Sequence, residues 1–366
     1  MSTRRSATER VLEGWEHGFP AAPTRVMTVM ETGYRGLLGA REWLYRRGVL
    51  RSRPVGPVVV SIGNLTVGGT GKTPATELAT LTLSALGRRP GIVSRGYRRH
   101  SRGVQVVADS ASIRLEPEDA GDEPFLLARR LPGVPVVVGS NRHEAARLAV
   151  ERFGVSAIVL DDGFQHRTLR KDLEIVMVRA AAPWGNGRLL PGGPLREPLA
   201  ALTRADLVVA TGVREAKDAE AVRASVERHA PGVPVLAAAY VPAECWRAGR
   251  MEPVPLARLT GLPLFAFAGI ASPAGFERTL RDLGARLEGF TAYADHHWYS
   301  RGDLANLGDR AKALGVEGLV TTEKDWVRLR ALPLPARPLY VLSIKLDLVS
   351  GDAEWRSAFA RACTKA

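Results

Sequence analysis

Residues 58–73 read Val-Val-Val-Ser-Ile-Gly-Asn-Leu-Thr-Val-Gly-Gly-Thr-Gly-Lys-Thr. An apolar run empties into a glycine loop and stops at Gly71-Lys72-Thr73, the pattern of a phosphate cradle. Such a loop lets the backbone N–H groups of Thr66, Val67, Gly68, Gly69, Thr70 and Gly71 converge on phosphate oxygens. Lys72 then reaches the terminal phosphates and the Thr73 hydroxyl ligates Mg²⁺. The spacing predicts a helix over residues 73–86, whose N-terminus adds positive field. One departure from the usual pattern is Thr66, where a glycine commonly stands five residues before Gly71; Gly68 and Gly69 supply the backbone freedom instead. Taken alone, the run also reads as a plain glycine-rich turn between strand and helix.

A second apolar run, Ala157-Ile158-Val159-Leu160, ends in Asp161-Asp162. A buried strand that delivers carboxylates to its tip is where a Mg²⁺-coordinating acid belongs in phosphate-loop enzymes. Standing alone the pair would read as solvated acids at a strand end; the glycine loop upstream makes it a metal-side pair. Gln165 and His166 follow at once and bring an amide and an imidazole to the same place.

Around these two runs, strand-like segments at 91–94, 136–139, 155–160, 173–178 and 206–211 alternate with helical ones at 123–131, 142–153 and 216–229. This alternation argues for a mostly parallel sheet covered by helices, with chemistry in the loops at the carboxyl ends of the strands. Residues 235–260 read as a connecting segment of short extended pieces. A second α/β unit follows, with strands at 264–269 and 319–322, helices at 276–283 and 303–314, and a late strand-like run at 339–348 that could return to the connector. The fold class expected is α/β: a P-loop NTPase-like domain over 51–234 and a smaller α/β domain over 261–366, with a cleft between them.

The chain has 366 residues, enough for two domains, and its 45% hydrophobic and 24% charged content is that of a soluble globular protein. Fifty-one Lys and Arg against 38 Asp and Glu give a net charge of +13, which favours an anionic partner. The two cysteines, Cys245 and Cys363, are far apart and indicate neither a disulfide framework nor a metal cluster, so a reducing, cytoplasmic setting is the default. Ser6-Ala7-Thr8-Glu9 reads as the capping box of a short polar helix and not as a secretory leader. Within 24–47, Met27, Met30, Tyr34, Leu37, Leu38, Leu44 and Tyr45 fall on one helical face. Arg25, Thr28, Glu31, Arg35, Glu42 and Arg46 fall on the other. Charges interrupt the segment too often for a spanning helix, which needs about 18 or more apolar residues. Two readings stay open: an amphipathic helix in a membrane interface, over residues 1–50, or a helix packed on the protein's own core.

Further motifs occur in order along the chain: Ser94-Arg95-Gly96-Tyr97, Gly121-Asp122-Glu123-Pro124, Asn141-Arg142, Asp161-Asp162-Gly163-Phe164-Gln165-His166 and Gly185-Asn186-Gly187-Arg188-Leu189-Leu190-Pro191. Gly193-Pro194-Leu195-Arg196-Glu197-Pro198, Asp295-His296-His297 and Thr322-Glu323-Lys324-Asp325 complete the set. With the glycine loop, this series closely resembles the tetraacyldisaccharide 4′-kinase (lipid A 4′-kinase) family over most of the chain. The resemblance implies ATP-dependent phosphorylation, with Mg²⁺, of the 4′-hydroxyl of a tetraacylated glucosamine disaccharide 1-phosphate. It also implies a peripheral or monotopic seat on the cytoplasmic face of the inner membrane. By the family pattern Asp122 is the general base and His296 its dyad partner; on local spacing alone, Asp122 reads as a helix N-terminal residue and His296 as a turn residue. The resemblance further places Tyr97 and Arg142 at the substrate end of the cleft and Glu197 as an additional Mg²⁺-side carboxylate. Family members tend to carry a more continuously apolar N-terminal helix, so the charges at Arg25, Glu31, Arg35, Arg41 and Glu42 point here to interfacial docking on an anionic surface.

Two rival classes are weighed. A membrane-associated nucleotide-hydrolysing switch would want an Asn-Lys-x-Asp element late in the chain, and Thr322-Glu323-Lys324-Asp325 has some of the letters in the wrong order. A nucleic-acid binder is permitted by the charge, but the basic residues are spread out and carry no recognised motif. No nucleic acid and no obligate protein partner are expected.

Overall fold

The computed structural model describes residues 25–364, so the capping box expected at Ser6 to Glu9 lies outside the described residues. The strands are β1 (Val58–Gly63), β2 (Pro90–Ser94), β3 (Gln105–Ala108), β4 (Val136–Val138), β5 (Ala157–Asp161), β6 (Leu173–Arg179) and β7 (Leu207–Thr211). Then come β8 (Val235–Arg247), β9 (Glu252–Val254), β10 (Pro263–Ala268), β11 (Arg286–Ala292), β12 (Gly318–Thr322) and β13 (Leu339–Ser350). All six residues of β1 are buried, as a strand covered on both faces requires. Val58, Val60 and Ile62 pack with Ala75, Ala79 and Leu83 of the helix Lys72–Ala85. Val59 points to the other face, against Ile158, Leu160 and the helix Arg142–Phe153.

One sheet runs through the whole molecule, in the order β11-β10-β12-β13-β8-β7-β6-β1-β5-β2-β4-β3, with β9 beside β8. β1, β2, β4, β5, β6 and β7 are mutually parallel, and so are β10, β11, β12 and the start of β13. The two parallel sets are joined where β8 and β13 pair antiparallel. The segment expected as a connector of short extended pieces opens with the 13-residue β8 and turns back into the short β9, and the late run, β13, pairs with β8.

The register of that pair decides where the chemistry collects. The first residues of β8 lie parallel to β7, through Val208↔Val235 to Thr211↔Ala238, and its last residues lie opposite the start of β13. β12 runs parallel to the start of β13, from Leu319↔Leu339 to Thr322↔Leu342. Both parallel sets therefore aim their carboxyl ends along the ribbon toward each other, and the functional ends of two α/β units meet at one place.

The described chain also folds back at its end. The helix Asp352–Thr364 buries Trp355, Ala358 and Phe359 in the core built by β1 and the helix Lys72–Ala85, and Trp355 Nε1 donates to Thr82 Oγ1 at 3.0 Å. Arg129 and Arg130, on the helix Asp122–Arg130, hold Glu323 on the helix Glu323–Leu329 and so bridge the two sets.

The helix Arg25–Arg46 lies along the first set with an inward face that overlaps the predicted apolar one but is turned so that Met30 and Leu37 point outward. Glu31, assigned to the polar face, is buried, while Val26, Val29, Met30, Leu37 and Trp43 are exposed. The inward stripe is Met27, Glu31, Tyr34, Leu38, Arg41, Glu42 and Tyr45. It is fixed by polar bonds: Arg188 Nε and Nη2 donate to Glu31 at 2.9 and 2.6 Å, and Tyr34 Oη donates to the Arg196 carbonyl at 2.8 Å. Met27, Tyr34, Leu38 and Tyr45 of the apolar pattern share this stripe, and side-chain partners, which periodicity cannot register, bring Glu31, Arg41 and Glu42 into it.

β1 ends in contact with the segment after β5. A Cβ added at Gly63 would stand 2.5 Å from the Phe164 Cβ and 2.7 Å from its backbone nitrogen, so the space belongs to glycine alone. Gly63→Ala is expected to lower stability by about 1–3 kcal/mol through overpacking. A thermal melt that matches the parent protein would show that the two segments part easily.

Candidate active site

The glycine loop leaves β1 at Asn64 and enters the helix Lys72–Ala85 through Gly71, whose φ of +85° favours a residue without Cβ. A Cβ there would also run into the Tyr240 hydroxyl, from β8. The loop is held from several sides. Asn64 Nδ2 donates to Thr70 Oγ1 at 3.0 Å, Thr211 Oγ1 to the Thr70 carbonyl at 3.1 Å, and Gln165 Nε2 to the Asn64 carbonyl at 2.9 Å. Val67 N donates to the Pro194 carbonyl at 2.8 Å. These bonds fix the loop while the helix N-terminus presents its N–H groups to an anion.

Asp161 and Asp162 share a strand end but not an environment. Asp161 is buried and accepts from Ser94 Oγ at 2.9 Å, with Thr76 Oγ1 at 3.4 Å. Burial, then the charges of Glu123 and Asp162, push it up to about 7 against the pull of Lys72. Asp162 has a φ of +55° and turns the other way. Lys72 Nζ lies 3.6 Å from its Oδ1, and Arg196 Nη1 donates to both oxygens at 3.0 Å. Burial alone would raise Asp162, yet Lys72 and Arg196 hold it below the usual carboxylate range.

Asp161 thus lacks a full counter-charge at a strand tip beside Lys72, and the buried Thr73 hydroxyl sits at the start of the adjoining helix. Among the described residues no three His, Cys, Asp or Glu side chains converge on a metal position by themselves. A hard cation that takes one or two carboxylates and completes its shell with phosphate and water fits such a donor set. Glu197, which the resemblance put on the metal side, directly follows Arg196, whose guanidinium grips Asp162. The Glu197 oxygens are occupied by Arg41 and by Arg204, the latter at 2.6 Å, and the residue is 2% exposed. Two guanidiniums thus satisfy that carboxylate in the structure, as Lys72 and Arg196 do that of Asp162.

Across the ribbon, Asp122 opens the helix Asp122–Arg130 after Gly121. Its Oδ1 accepts from Glu123 N at 3.0 Å, and its Oδ2 lies 2.8 Å from His296 Nδ1. Arg328 Nε stands 3.8 Å from the same oxygen. Burial would raise this acid, but the His296 hydrogen bond and the charges of Lys324 and Arg328 hold it far below the usual range. His296 itself has a φ of +61°, in the turn after β11, and its ring meets Tyr97 edge-on at 5.8 Å. Asp122 and His296, expected as partners from two parts of the sequence, are brought together in the fold.

Lys324 completes the group. Its Nζ is 2.5 Å from Glu123 Oε1, and although burial opposes its charge, Glu123, Asp122 and Asp295 hold its pKa above the ordinary lysine value. The motif Thr322-Glu323-Lys324-Asp325 carries no evident task in the sequence, and in the structure its residues have four. Thr322 caps the helix, Glu323 binds Arg129 and Arg130, and Lys324 enters the site. Asp325 accepts from Gly269 N, Tyr299 Oη and Arg328 Nη2 at 2.8 to 2.9 Å and from Thr322 Oγ1 at 2.6 Å, and the Gly269 carbonyl in turn accepts from His296 N at 3.2 Å. Lys324, Glu123, Arg196 and Ser94 were all missed as site residues. Each lies inside a quoted motif, which was the available signal.

The remaining expected residues divide between the two sides. Arg142 is buried, donates to the Gly139 and Ser140 carbonyls at 3.2 and 3.1 Å, and is close enough to Asp161 and Asp162 to feel their charge. Gln165 holds the glycine loop, so its amide is committed to the fold. His166 Nε2 lies 2.7 Å from Thr168 Oγ1; burial and then Arg142 lower its pKa to about 4, so it is neutral at pH 7. Tyr97 is more than half exposed, on the rim of an open cavity of about 490 Å³. Arg95, Arg98, Arg99 and Arg102 line it with Ser101 and Ser140. None of these four arginines pairs with a carboxylate among the described residues, which leaves a cationic hollow beside the Asp122–His296 pair.

The arrangement has counterparts. The family model described as LpxK, tetraacyldisaccharide-1-P 4′-kinase, matches residues 23–364. A tetraacyldisaccharide 4′-kinase of Anaeromyxobacter dehalogenans strain 2CP-C is 44% identical over 338 residues, covering 91% of this chain and 89% of that protein. One of Syntrophus aciditrophicus strain SB is 42% identical over 330 residues, 88% of each. The crystal structure of LpxK from Aquifex aeolicus in complex with ATP superimposes with a TM-score of 0.71 at 28% identity, over 92% of this chain and 98% of that one.

Lys324→Met leaves Glu123 without its cation and is expected to cost about 1–3 kcal/mol at neutral pH. In the parent protein the Lys324 charge, working against burial, lowers Glu123 below its ordinary value. That contribution is present above the unfolded pKa and is lost as pH falls through the lower folded one. Denaturant unfolding at pH 7 and pH 4 should therefore show the gap between parent and variant narrowing in acid. An equal gap at both pH values would remove the charge pairing as its cause.

Proposed function

The chain belongs to the tetraacyldisaccharide-1-P 4′-kinase family, and from that premise we propose the course of its reaction. It is an ATP-dependent kinase of lipid A biosynthesis, transferring a phosphoryl group to the 4′-hydroxyl of a tetraacylated glucosamine disaccharide 1-phosphate. The observation that carries the reading is the meeting of two half-sites: the glycine loop with Lys72, Asp161 and Asp162, and the Asp122–His296 pair, whose members lie 2.8 Å apart.

In this proposal the phosphates of ATP lie along the glycine loop, with the helix N-terminus and Lys72 facing their charge. Thr73, Asp161 and Asp162 would hold Mg²⁺, which neutralises charge on the transferring phosphoryl group. Asp122 receives the proton of the attacking hydroxyl. Its carboxylate is ionised throughout the physiological range but weakly basic, which suits a loose transition state in which the hydroxyl proton moves late. His296 orients Asp122 from the second strand set, and Lys324 beside it supplies a positive field where negative charge builds. The arginine-lined hollow on the far side of Tyr97 suits an acceptor that is itself anionic. A nucleotide-hydrolysing switch would have no use for this acceptor side.

The acceptor is a lipid, and the exposed stripe of Val26, Val29, Met30, Leu37 and Trp43 supports docking of the first described helix into a membrane interface. No helix among the described residues is long and apolar enough to cross a membrane. The proposed seat is therefore peripheral, on the anionic cytoplasmic face of the inner membrane, where the net charge of +13 adds attraction.

With labelled ATP, Mg²⁺ and the disaccharide 1-phosphate in detergent, the parent protein should form a bisphosphorylated lipid. Lys72→Ala should abolish it without unfolding the protein. Asp122→Asn, which keeps the shape and removes the proton acceptor, should lower kcat by roughly 10²-fold or more with ATP affinity little changed. A folded Asp122→Asn enzyme at parental rate would refute the base assignment.

Leu37→Glu with Trp43→Glu places two charges on the exposed stripe and should release the protein from vesicles containing anionic lipid, with turnover in detergent retained. Continued flotation with the vesicles would move the docking surface elsewhere.

A further inference from the structure

The inward face of the helix Arg25–Arg46 is laced with charge, although apolar packing would hold a helix against a protein at less desolvation cost. Glu31 binds Arg188 and accepts from Leu189 N at 3.3 Å, Tyr34 holds the Arg196 carbonyl, Arg41 pairs with Glu197, and Glu42 pairs with Arg167. Every one of these partners lies in one of two short segments, 166–167 and 186–197. Those segments also carry the site. Arg196 N donates to the Leu65 carbonyl at 2.7 Å and Arg196 Nη1 grips Asp162, while Pro194 holds the glycine loop at Val67. Glu197 also binds Arg204, whose guanidinium lies 4.4 Å over the ring of Phe164, two residues beyond Asp162.

We propose that Arg41 and Glu197 are positioning residues that couple the seating of the docking helix to the placement of Asp162 and the glycine loop. The helix grips Arg196 through its backbone carbonyl and grips the next residue, Glu197, through its side chain. The segment that aims Arg196 at Asp162 is thus clamped on both sides by an element whose other face meets the membrane. Ion pairs with fixed donors and acceptors set one register of the helix, whereas an apolar stripe would tolerate slippage. Membrane engagement and phosphoryl transfer share one rigid path, and Glu197 acts in the reaction through Arg196 and not as a ligand. This inference rests on the kinase reading above.

The test uses the full chain and two variants, Arg41→Met, which keeps length and removes charge, and Arg41→Lys, which restores it. Arg41→Met should still float with anionic vesicles, because the exposed stripe is untouched. Its kcat should fall roughly tenfold, as expected of a displaced active-site group, with acceptor KM within about twofold of the parent. Amide exchange in residues 161–165 and 194–197 should speed up, and Arg41→Lys should recover most of both losses. Unchanged exchange, or faster exchange with parental kcat, would overturn the coupling. If the parent protein transfers no phosphoryl group to the lipid, the kinase reading fails, and the exchange of residues 161–165 alone then decides whether the latch holds Asp162.

Discussion

The antiparallel pairing of β8 with β13 is the constraint on which the rest of the molecule depends. A parallel set has one functional edge, at its carboxyl ends, and two such sets laid side by side in the same direction would put both edges on one rim. Pairing β8 and β13 head to tail reverses the second set, and because both strands are long, each begins in one set and finishes in the other. The two functional edges then face each other. Asp122 and His296, 174 residues apart, come within hydrogen-bond distance as a consequence.

Bringing those edges together crowds acids, and the structure resolves the crowding by giving each a different partner. Asp161 is left with hydroxyls and neighbouring carboxylates, so burial governs it and it resists ionisation. Asp162 faces Lys72 and Arg196, and Asp122 faces His296, Lys324 and Arg328, so both stay charged. Glu123 is neutralised by Lys324. Acids pushed in opposite directions within one site are what a division of labour between cation binding and proton acceptance requires. Most of the balancing cations near Asp122 come from the second strand set, so neither set alone could keep its own carboxylates in these states.

The helix Arg25–Arg46 follows a different logic. Its inward face mixes Met27, Tyr34, Leu38 and Tyr45 with the paired charges of Glu31, Arg41 and Glu42, and its outer face carries Val26, Val29, Met30, Leu37 and Trp43. That mixture suits an element that packs on a polar, loop-rich surface, where ion pairs and apolar contacts both hold it.

Much of this was legible in the sequence because it is local. The glycine loop, the Asp161-Asp162 strand tip and the helix beginning at Lys72 follow from nearest-neighbour geometry and a two-residue or 3.6-residue period. The in-order motifs identified the family and pointed to Asp122 and His296. What escaped was settled by partners distant in sequence. The inward placement of Glu31 and Glu42 on the first described helix depends on Arg188 and Arg167, far along the chain, and so its apolar pattern could not show it. Glu197 reads along the chain as a lone carboxylate, and only the tertiary structure brings Arg41 and Arg204 to it. Lys324 looks like any helix-surface lysine until the ribbon carries it to Glu123. The sequence by itself determined the local elements and the reactive groups they carry. Which carboxylate meets which cation was decided by tertiary structure alone, because charge pairing depends on distances through space that no spacing along the chain encodes.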